Sequence, residues 1–240
     1  MSVVETVIQS NLKQILETIH LIARECGRTT APRLVAVSKT KPSNLILECY
    51  QAGQKHFGEN YVQELEEKGA ELRDLQDIKW HYIGQMQSNK ISKICAVPNL
   101  YCIETLDNEK HAQLLEKEMN KRGLKVKVLI QVNTSDEEQK GGLQPNEAKE
   151  LGKFVDEQCA HLEFSGFMTI GSVAGSSMTP NPDFEKLREV RDDFAKEVGR
   201  GVEGFELSMG MSDDFETAIR QGSTNIRVGS KIFGPRLPKK

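Results

Sequence analysis

Short apolar runs alternate with amphipathic helical segments along the 240 residues, and this alternation constrains the fold more than any other feature. An apolar run without polar alternation is typical of a parallel strand that is covered on both faces. The eight runs are residues 34–37, 55–58, 80–84, 100–105, 126–132, 162–170, 204–210 and 225–229. Eight strands alternating with about eight helices over roughly 250 residues predict an α/β fold, a (β/α)8 barrel of the TIM type.

An additional amphipathic segment precedes the first predicted strand. Its apolar residues recur at three- and four-residue spacing and predict an extra N-terminal helix: Val4, Ile8, Leu12, Ile15, Ile19 and Ile22. Because no linker divides the sequence, we expect residues 1–240 to form a single domain. An open doubly wound sheet is the alternative. Its dinucleotide-binding form requires G-x-G-x-x-G after an early strand, and no such turn follows Val37.

Two local predictions concern the second half of the chain. Residues 172–182 are rich in Gly, Ser and Pro and predict a long irregular loop. Asp213 and Asp214 favour the positive end of a helix, so we expect a helix to begin near Ser212 and to end at Gly222.

Composition and charge exclude several classes of protein. A net charge of −3 with mixed signs is unlike a nucleic-acid-binding surface, which requires clustered Lys and Arg. The five cysteines are scattered without C-x-x-C spacing, and no two histidines have metal-ligand spacing, so no disulfide framework and no metal site is predicted. No signal peptide or membrane-spanning run is recognisable. We therefore expect a soluble cytoplasmic protein that binds neither membrane nor nucleic acid.

Lys39 follows the first predicted strand and is the strongest candidate for chemistry. The carboxyl ends of barrel strands carry the ligand sites of this fold class. A lysine partly withdrawn from water there has a lowered amine pKa and can attack an aldehyde. The sequence alone also allows a simple surface lysine in a strand-to-helix loop.

Other polar or small residues follow the remaining strands and are expected on the same rim as Lys39. Asn60 follows the second strand, and Arg227 precedes Gly229 and Ser230 at the end of the eighth. Glycines and hydroxyls after the last two strands are where such barrels often bind phosphate, which points to residues 208–212 and 229–230. Alternatively, residues 208–212 form only a turn and a helix cap. Arg227 has its own alternative, a structural ion pair with Asp213, Asp214 or Glu216.

Several long motifs occur in one order and together resemble the pyridoxal phosphate homeostasis protein family. They are residues 37–42 (Val-Ser-Lys-Thr-Lys-Pro), 57–64 (Phe-Gly-Glu-Asn-Tyr-Val-Gln-Glu), 80–84 (Trp-His-Tyr-Ile-Gly), 207–212 (Leu-Ser-Met-Gly-Met-Ser) and 227–230 (Arg-Val-Gly-Ser). The resemblance covers nearly the whole chain. It implies one barrel similar to the N-terminal domain of alanine racemase, with pyridoxal 5′-phosphate (PLP) bound as a Schiff base.

The resemblance also assigns roles to individual residues. The lysine after Val-Ser corresponds to the Schiff-base lysine, which is Lys39 rather than Lys41. Arg227 corresponds to the residue that contacts the pyridine nitrogen, and Gly229 and Ser230 correspond to phosphate binders. A phosphate cradle is expected to be completed by Ser208, Met209, Gly210, Met211 and Ser212, and its place on the rim makes Asn60 a further candidate cofactor contact. One departure is Met86, where the family usually has leucine before Gln87.

Two classes of function are compatible with this resemblance. The first is a PLP-binding protein that buffers the reactive cofactor and supplies it to PLP-dependent apo-enzymes, without catalytic residues of its own. The second is an amino-acid racemase or a related carbanion enzyme. Two-base racemisation needs a general base opposite the lysine, which racemases of this fold take from a further domain, and the sequence leaves no room for one after the eighth strand. The binding function is therefore favoured. A third possibility, a barrel for an ordinary phosphorylated metabolite, requires that Lys39 form no imine.

Overall fold

The computed structural model describes residues 5–137 and 140–235. Eight parallel strands pair in chain order and close on each other as β8 pairs with β1, where Val35 lies opposite Arg227. The strands are β1 (Arg33–Val37), β2 (His56–Glu59), β3 (Lys79–Tyr82), β4 (Leu100–Leu106), β5 (Val126–Gln131), β6 (Leu162–Met168), β7 (Glu206–Ser208) and β8 (Asn225–Val228). The predicted (β/α)8 barrel is confirmed.

Ten α-helices lie in the described part of the chain. They are α1 (Val7–Glu25), α2 (Ser43–Gln51), α3 (Val62–Glu71), α4 (Ile91–Cys95), α5 (Glu109–Arg122), α6 (Pro145–Gln158), α7 (Val173–Ser176), α8 (Pro182–Glu197), α9 (Phe215–Arg220) and α10 (Ser230–Phe233). None of these helices is long and apolar enough to cross a lipid bilayer.

The extra N-terminal helix is α1, and its ends follow from the sequence. Thr6 and Gln9 form a reciprocal capping box, in which each side chain accepts the backbone N–H of the other. The predicted apolar face is buried at Leu12, Ile15, Ile19 and Ile22. Of the residues in that pattern, Val4 lies outside the described range.

Apolar side chains lie on both faces of the strands, because successive side chains point alternately outward to the helices and inward to the barrel. Outward-facing residues such as Trp80, Ile103 and Val128 pack with the helices in one large core. Inside the barrel, Cys102, Leu129 and Met168 form a much smaller apolar group. Much of the remaining interior is polar, whereas bulky aliphatic side chains dominate most barrels of this type.

Two local predictions need correction. The helix expected near Ser212 begins at Phe215, because the Asp214 carboxylate accepts the Met211 N–H at 2.7 Å and holds the intervening residues in turns. The irregular segment before Pro182 contains the one-turn helix α7. Ser172 caps it by accepting the Gly175 N–H at 2.8 Å.

Candidate functional site

The turn after β1 directs Lys39 to the carboxyl-end face of the barrel. The Lys41 N–H donates to the Ser38 carbonyl at 3.0 Å and closes the turn, with Thr40 in the left-handed region at φ 64°. Lys39 is half-buried and lines a cavity of about 340 Å³. Lys41 lines the same cavity, and its ammonium donates to the Pro235 carbonyl at 2.8 Å.

Most of the predicted site residues border this one cavity. Those that line it are Lys39, Asn60, Met211, Ser212, Arg227, Gly229 and Ser230. They come from the ends of β1, β2, β7 and β8, which lie far apart in sequence and meet because the barrel closes. Apolar walls are supplied by Val37, Ile83, Met168 and Ile170. A volume of this size suits a small organic ligand, since such sites commonly span about 300–1,000 Å³.

The other three predicted residues lie behind the cavity wall. Ser208 is fully buried inside the barrel, where its hydroxyl donates to Glu104 at 2.6 Å. Met209 is buried in the outer core. Gly210 has φ 95°, and a Cβ at this position would lie 2.5 Å from the Ala218 Cβ. These residues therefore shape the β7 loop, while Met211 and Ser212 form its surface in the cavity.

The loops after β7 and β8 are joined at Gly229. Its backbone N–H donates to the Ser212 hydroxyl at 3.3 Å. A Cβ on Gly229 would lie 3.1 Å from the Val37 carbonyl oxygen and 3.4 Å from the Val37 Cβ, which is tighter than most such contacts. The absence of a side chain thus lets β8 approach the end of β1 closely beside the cavity.

Arg227 reaches the cavity from inside the barrel and is almost completely buried. Its guanidinium donates to the Thr169 carbonyl at 2.7 Å and to the Ser208 hydroxyl. The Glu104 carboxylate lies 3.9 Å from the guanidinium, so Glu104 takes the place that the sequence suggested for Asp213, Asp214 or Glu216. The pKa of Arg227 is lowered from its ordinary value, because burial outweighs the charges of Glu104 and Asp214, which raise it.

Glu104 is the centre of a hydrogen-bond network in the barrel. One carboxylate oxygen accepts from Asn225 at 2.9 Å and lies 2.6 Å from His81 Nδ1. Burial raises the pKa of Glu104, but the hydrogen bond and charge of His81, the charge of Arg227 and the Ser208 hydrogen bond outweigh it, and the pKa falls to about 2. Glu104 is therefore ionised at neutral pH, opposite Arg227.

Two histidines extend the network toward the other end of the barrel. His81 Nε2 lies 2.8 Å from His56 Nδ1. Burial, with the charges of His81, Arg33 and Lys79, lowers the pKa of His56 to about 3, so this ring is neutral near pH 7. Both side chains have the satisfied structural role that is usual for a histidine on a strand.

His81, Cys102 and Glu104 place three possible metal-ligating atoms within 4.8 Å of one another. Both Glu104 oxygens already accept hydrogen bonds from protein groups. Burial raises the pKa of the Cys102 thiol well above its usual value, which disfavours the thiolate that binds metals. These features favour a hydrogen-bonded network over a metal centre at this place.

Glu104 and Thr169 are the functional-site neighbours that the sequence did not single out. Glu104 lies in the run Ile-Glu-Thr within a predicted buried strand. A carboxylate in such a strand needs a buried partner, so a glutamate within this apolar run could have indicated a buried ion pair. Thr169 contributes only its backbone carbonyl to Arg227, so its side-chain type carried no signal.

The sequence has clear relatives. A model of the family described as alanine racemase, N-terminal domain, matches residues 10–237. A Caenorhabditis elegans protein named pyridoxal phosphate homeostasis protein is 52% identical over 235 residues, which is 96% of each chain. The chain belongs to the pyridoxal phosphate homeostasis protein family. A human member with the same name is 47% identical over 211 residues, 85% of this chain and 77% of its own.

Solved structures agree with this family membership. PipY of Synechococcus elongatus, solved with PLP bound, is 31% identical with a TM-score of 0.77, over 95% of this chain and 100% of that one. An alanine racemase of Clostridium difficile is 16% identical with a TM-score of 0.70, over 96% of this chain and 58% of that one. The second likeness concerns the barrel fold alone.

Replacing Glu104 by Gln tests the buried network. We expect Glu104→Gln to lower the free energy of unfolding by about 3–5 kcal/mol at pH 7, because Arg227 is left without its carboxylate. The native pKa of about 2 lies below the ordinary 4.5, so the stabilisation is present above pH 4.5 and is lost as the pH falls through about 2. Denaturation at several pH values should show the difference from wild type shrinking over that window.

Glu163→Gln is the matched control for this measurement. Glu163 pairs with Lys127 at 2.9 Å, but its side chain is 57% exposed. Exposed pairs contribute at most about 1 kcal/mol. Equal losses of stability for the two variants would contradict the central role of Glu104.

Proposed function

We propose that this protein binds PLP through Lys39 as a Schiff base and serves intracellular PLP homeostasis as a single-domain cytoplasmic barrel. The carrying observation is that Lys39, Arg227 and the loops after β7 and β8 border one cavity. The names of its relatives and the PLP-bound PipY structure support this assignment. The cofactor-binding roles predicted for Asn60, residues 208–212, Gly229 and Ser230 are part of the same proposal.

The cavity residues fit the cofactor in their chemistry. The Asn60 Oδ1 atom is buried and has no hydrogen-bond partner among the described residues, so a polar ligand atom would satisfy it. Lys39 offers an amine, and Ser212 and Ser230 offer hydroxyl groups in the lining of the same cavity. Aldehyde, ring and phosphate groups therefore each have a suitable counterpart.

Lys39 and Arg227 have distinct tasks in this proposal. PLP supplies an aldehyde that the Lys39 amine attacks, with loss of one water. Arg227 has five N–H donors and no acceptor, and it remains charged beside Glu104. Facing the ring nitrogen, it would donate to that atom and keep it unprotonated. An unprotonated ring is a weaker sink for carbanion charge, which favours holding the cofactor over amino-acid chemistry.

We further propose that PLP-dependent apo-enzymes receive the cofactor from this protein. The Lys39 imine is reversible by water or by another amine, so the bound cofactor can be passed on without a further reagent. Lys39 is half-buried at the cavity wall, which leaves its bond within reach of such an exchange.

Removing Lys39 should abolish the covalent complex. We expect Lys39→Ala to lose the visible absorption band of the PLP imine, whereas Lys41→Ala keeps it. Both side chains line the cavity, which makes Lys41 a matched control. Titration of each purified variant with PLP, followed by absorbance, measures this. Retention of the band in Lys39→Ala would reject the assignment.

The β8 loop should govern binding of the phosphate end. Gly229→Val introduces a branched side chain against Val37 and is expected to weaken PLP binding at least about 10-fold, the equivalent of 1.4 kcal/mol. Gly204→Val is the control, because a Cβ at Gly204 has no neighbour within 4 Å. Equal PLP affinities of the two variants, measured by fluorescence titration, would show that the phosphate binds elsewhere.

The loaded protein should not racemise amino acids at a useful rate. Racemisation needs a general base placed opposite the lysine, and the loss of such a group lowers rates typically by about 10²–10⁴-fold. Arg227 facing the ring nitrogen would further weaken the ring as a sink for carbanion charge. We expect α-deuteration of L-alanine in D₂O to stay near that of free PLP. Scrambling far above free PLP, and abolished by Lys39→Ala, would favour the racemase alternative.

A further inference from the structure

Lys68 is a buried lysine on α3 that is not among the residues lining the cavity. It contacts the chain just after β1. Its side chain is only 7% exposed. Lysine is seldom buried to this degree unless its ammonium is paired. The ammonium uses three donors: it donates to the Ser38 carbonyl at 2.8 Å, to Glu59 Oε1 at 2.7 Å and to Glu64 Oε2 at 2.7 Å.

Ser38, Glu59, Glu64 and Lys68 form what we term the outer cluster, and it holds the chain on both sides of Lys39. Before Lys39, the Ser38 hydroxyl donates to Glu59 at 2.6 Å, and Lys68 binds the Ser38 carbonyl. After Lys39, the Thr40 N–H donates to Glu64 at 2.7 Å. Two successive peptide groups are thereby fixed by one ammonium and its two carboxylates.

The conformation that the outer cluster fixes is an unfavourable one. Thr40 has φ 64°, which is uncommon for a β-branched residue and persists only where neighbouring contacts hold it. The Glu64 carboxylate supplies such a contact at the Thr40 N–H. Because alternate residues point to opposite faces, anchoring Ser38 toward the helices directs Lys39 into the cavity.

The charges of the outer cluster depend on Lys68. Burial raises the pKa of Glu59 to about 7, although the charge and hydrogen bond of Lys68 and the Ser38 hydrogen bond lower it. The second oxygen of Glu59 is buried without a hydrogen-bond partner among the described residues. Without the Lys68 ammonium, Glu59 would become protonated and Glu64 would lose its buried counter-charge.

We propose that Lys68 is a positioning residue, which through Ser38, Glu59 and Glu64 fixes the turn that aims the Lys39 amine at the aldehyde of PLP. This inference rests on the proposed function for its substrate, but the geometry that carries it involves only this chain. A misplacement of about 1 Å in a reacting group can cost on the order of 100-fold in rate. Lys68 therefore acts on the formation of the imine rather than on binding of the ring or the phosphate.

The test separates imine formation from non-covalent binding. Lys68→Met and Glu64→Ala are compared with wild type and with Lys93→Met, whose ammonium lies 3.4 Å from Glu66 at an exposed position. We expect the first two variants to form the visible imine band on the order of 10-fold more slowly or worse. Their affinity for pyridoxine 5′-phosphate, which carries an alcohol and cannot form an imine, should match wild type. Lys93→Met should leave both quantities unchanged.

Three outcomes overturn the proposal. One is an unchanged rate of imine formation in the folded variants. Another is a loss of pyridoxine 5′-phosphate affinity by the same factor as the loss in the rate of imine formation. That result would mean that the outer cluster only supports the fold. If Lys68→Met does not fold, Glu64→Ala decides, because its side chain is partly exposed.

The third outcome comes from a measurement that needs no cofactor. Acetylation of Lys39 by acetic anhydride, relative to the exposed Lys117, should rise in Lys68→Met and Glu64→Ala as the turn is released. If wild type forms no imine, the proposed function fails, and the acetylation measurement alone decides whether Lys68 positions Lys39. Unchanged acetylation of Lys39 in the two variants would reject the positioning role of Lys68.

Discussion

The buried pairing of Arg227 with Glu104 is the interaction on which the site depends. A guanidinium inside a barrel is costly unless a counter-charge and hydrogen bonds compensate it. Glu104 supplies the charge at 3.9 Å, and the Thr169 carbonyl accepts a hydrogen bond. Ser208 links the two ions, since it accepts from Arg227 and donates to Glu104. Arg227, Glu104 and Ser208 lie on strands and Thr169 directly follows β6, so the arginine is held in place beside the cavity.

Arg227 and the turn that carries Lys39 border the cavity from the neighbouring strands β8 and β1, but they are supported from different directions. Arg227 is fixed by polar groups inside the barrel, whereas the turn that carries Lys39 is fixed from outside by Lys68 and its carboxylate partners. The two networks have no residue in common. If Arg227 binds the ring and Lys39 the aldehyde, damage to one network should leave the task of the other largely intact.

The sequence predicted the architecture because local patterns determine it. Apolar runs such as Val126–Gln131 mark their strands without knowledge of the rest of the chain, and eight of them leave few alternatives to a barrel. The rim residues followed from the same rule, since Lys39 and Gly229 end neighbouring strands. The pairing of Glu104 with Arg227 could not be predicted, because closure of the barrel brings together residues that are far apart in sequence. Lys68 likewise carries no sequence signal beyond being one more charge on an amphipathic helix.

The most direct measurement of the central claim is chemical trapping of the cofactor. Wild-type protein saturated with PLP is reduced with borohydride, digested, and analysed by mass spectrometry for the lysine that carries the pyridoxyl group. The account predicts that the modification is found on the peptide that contains Lys39, at Lys39 itself. Modification chiefly at Lys41 or Lys90, with Lys39 unmodified, would contradict it.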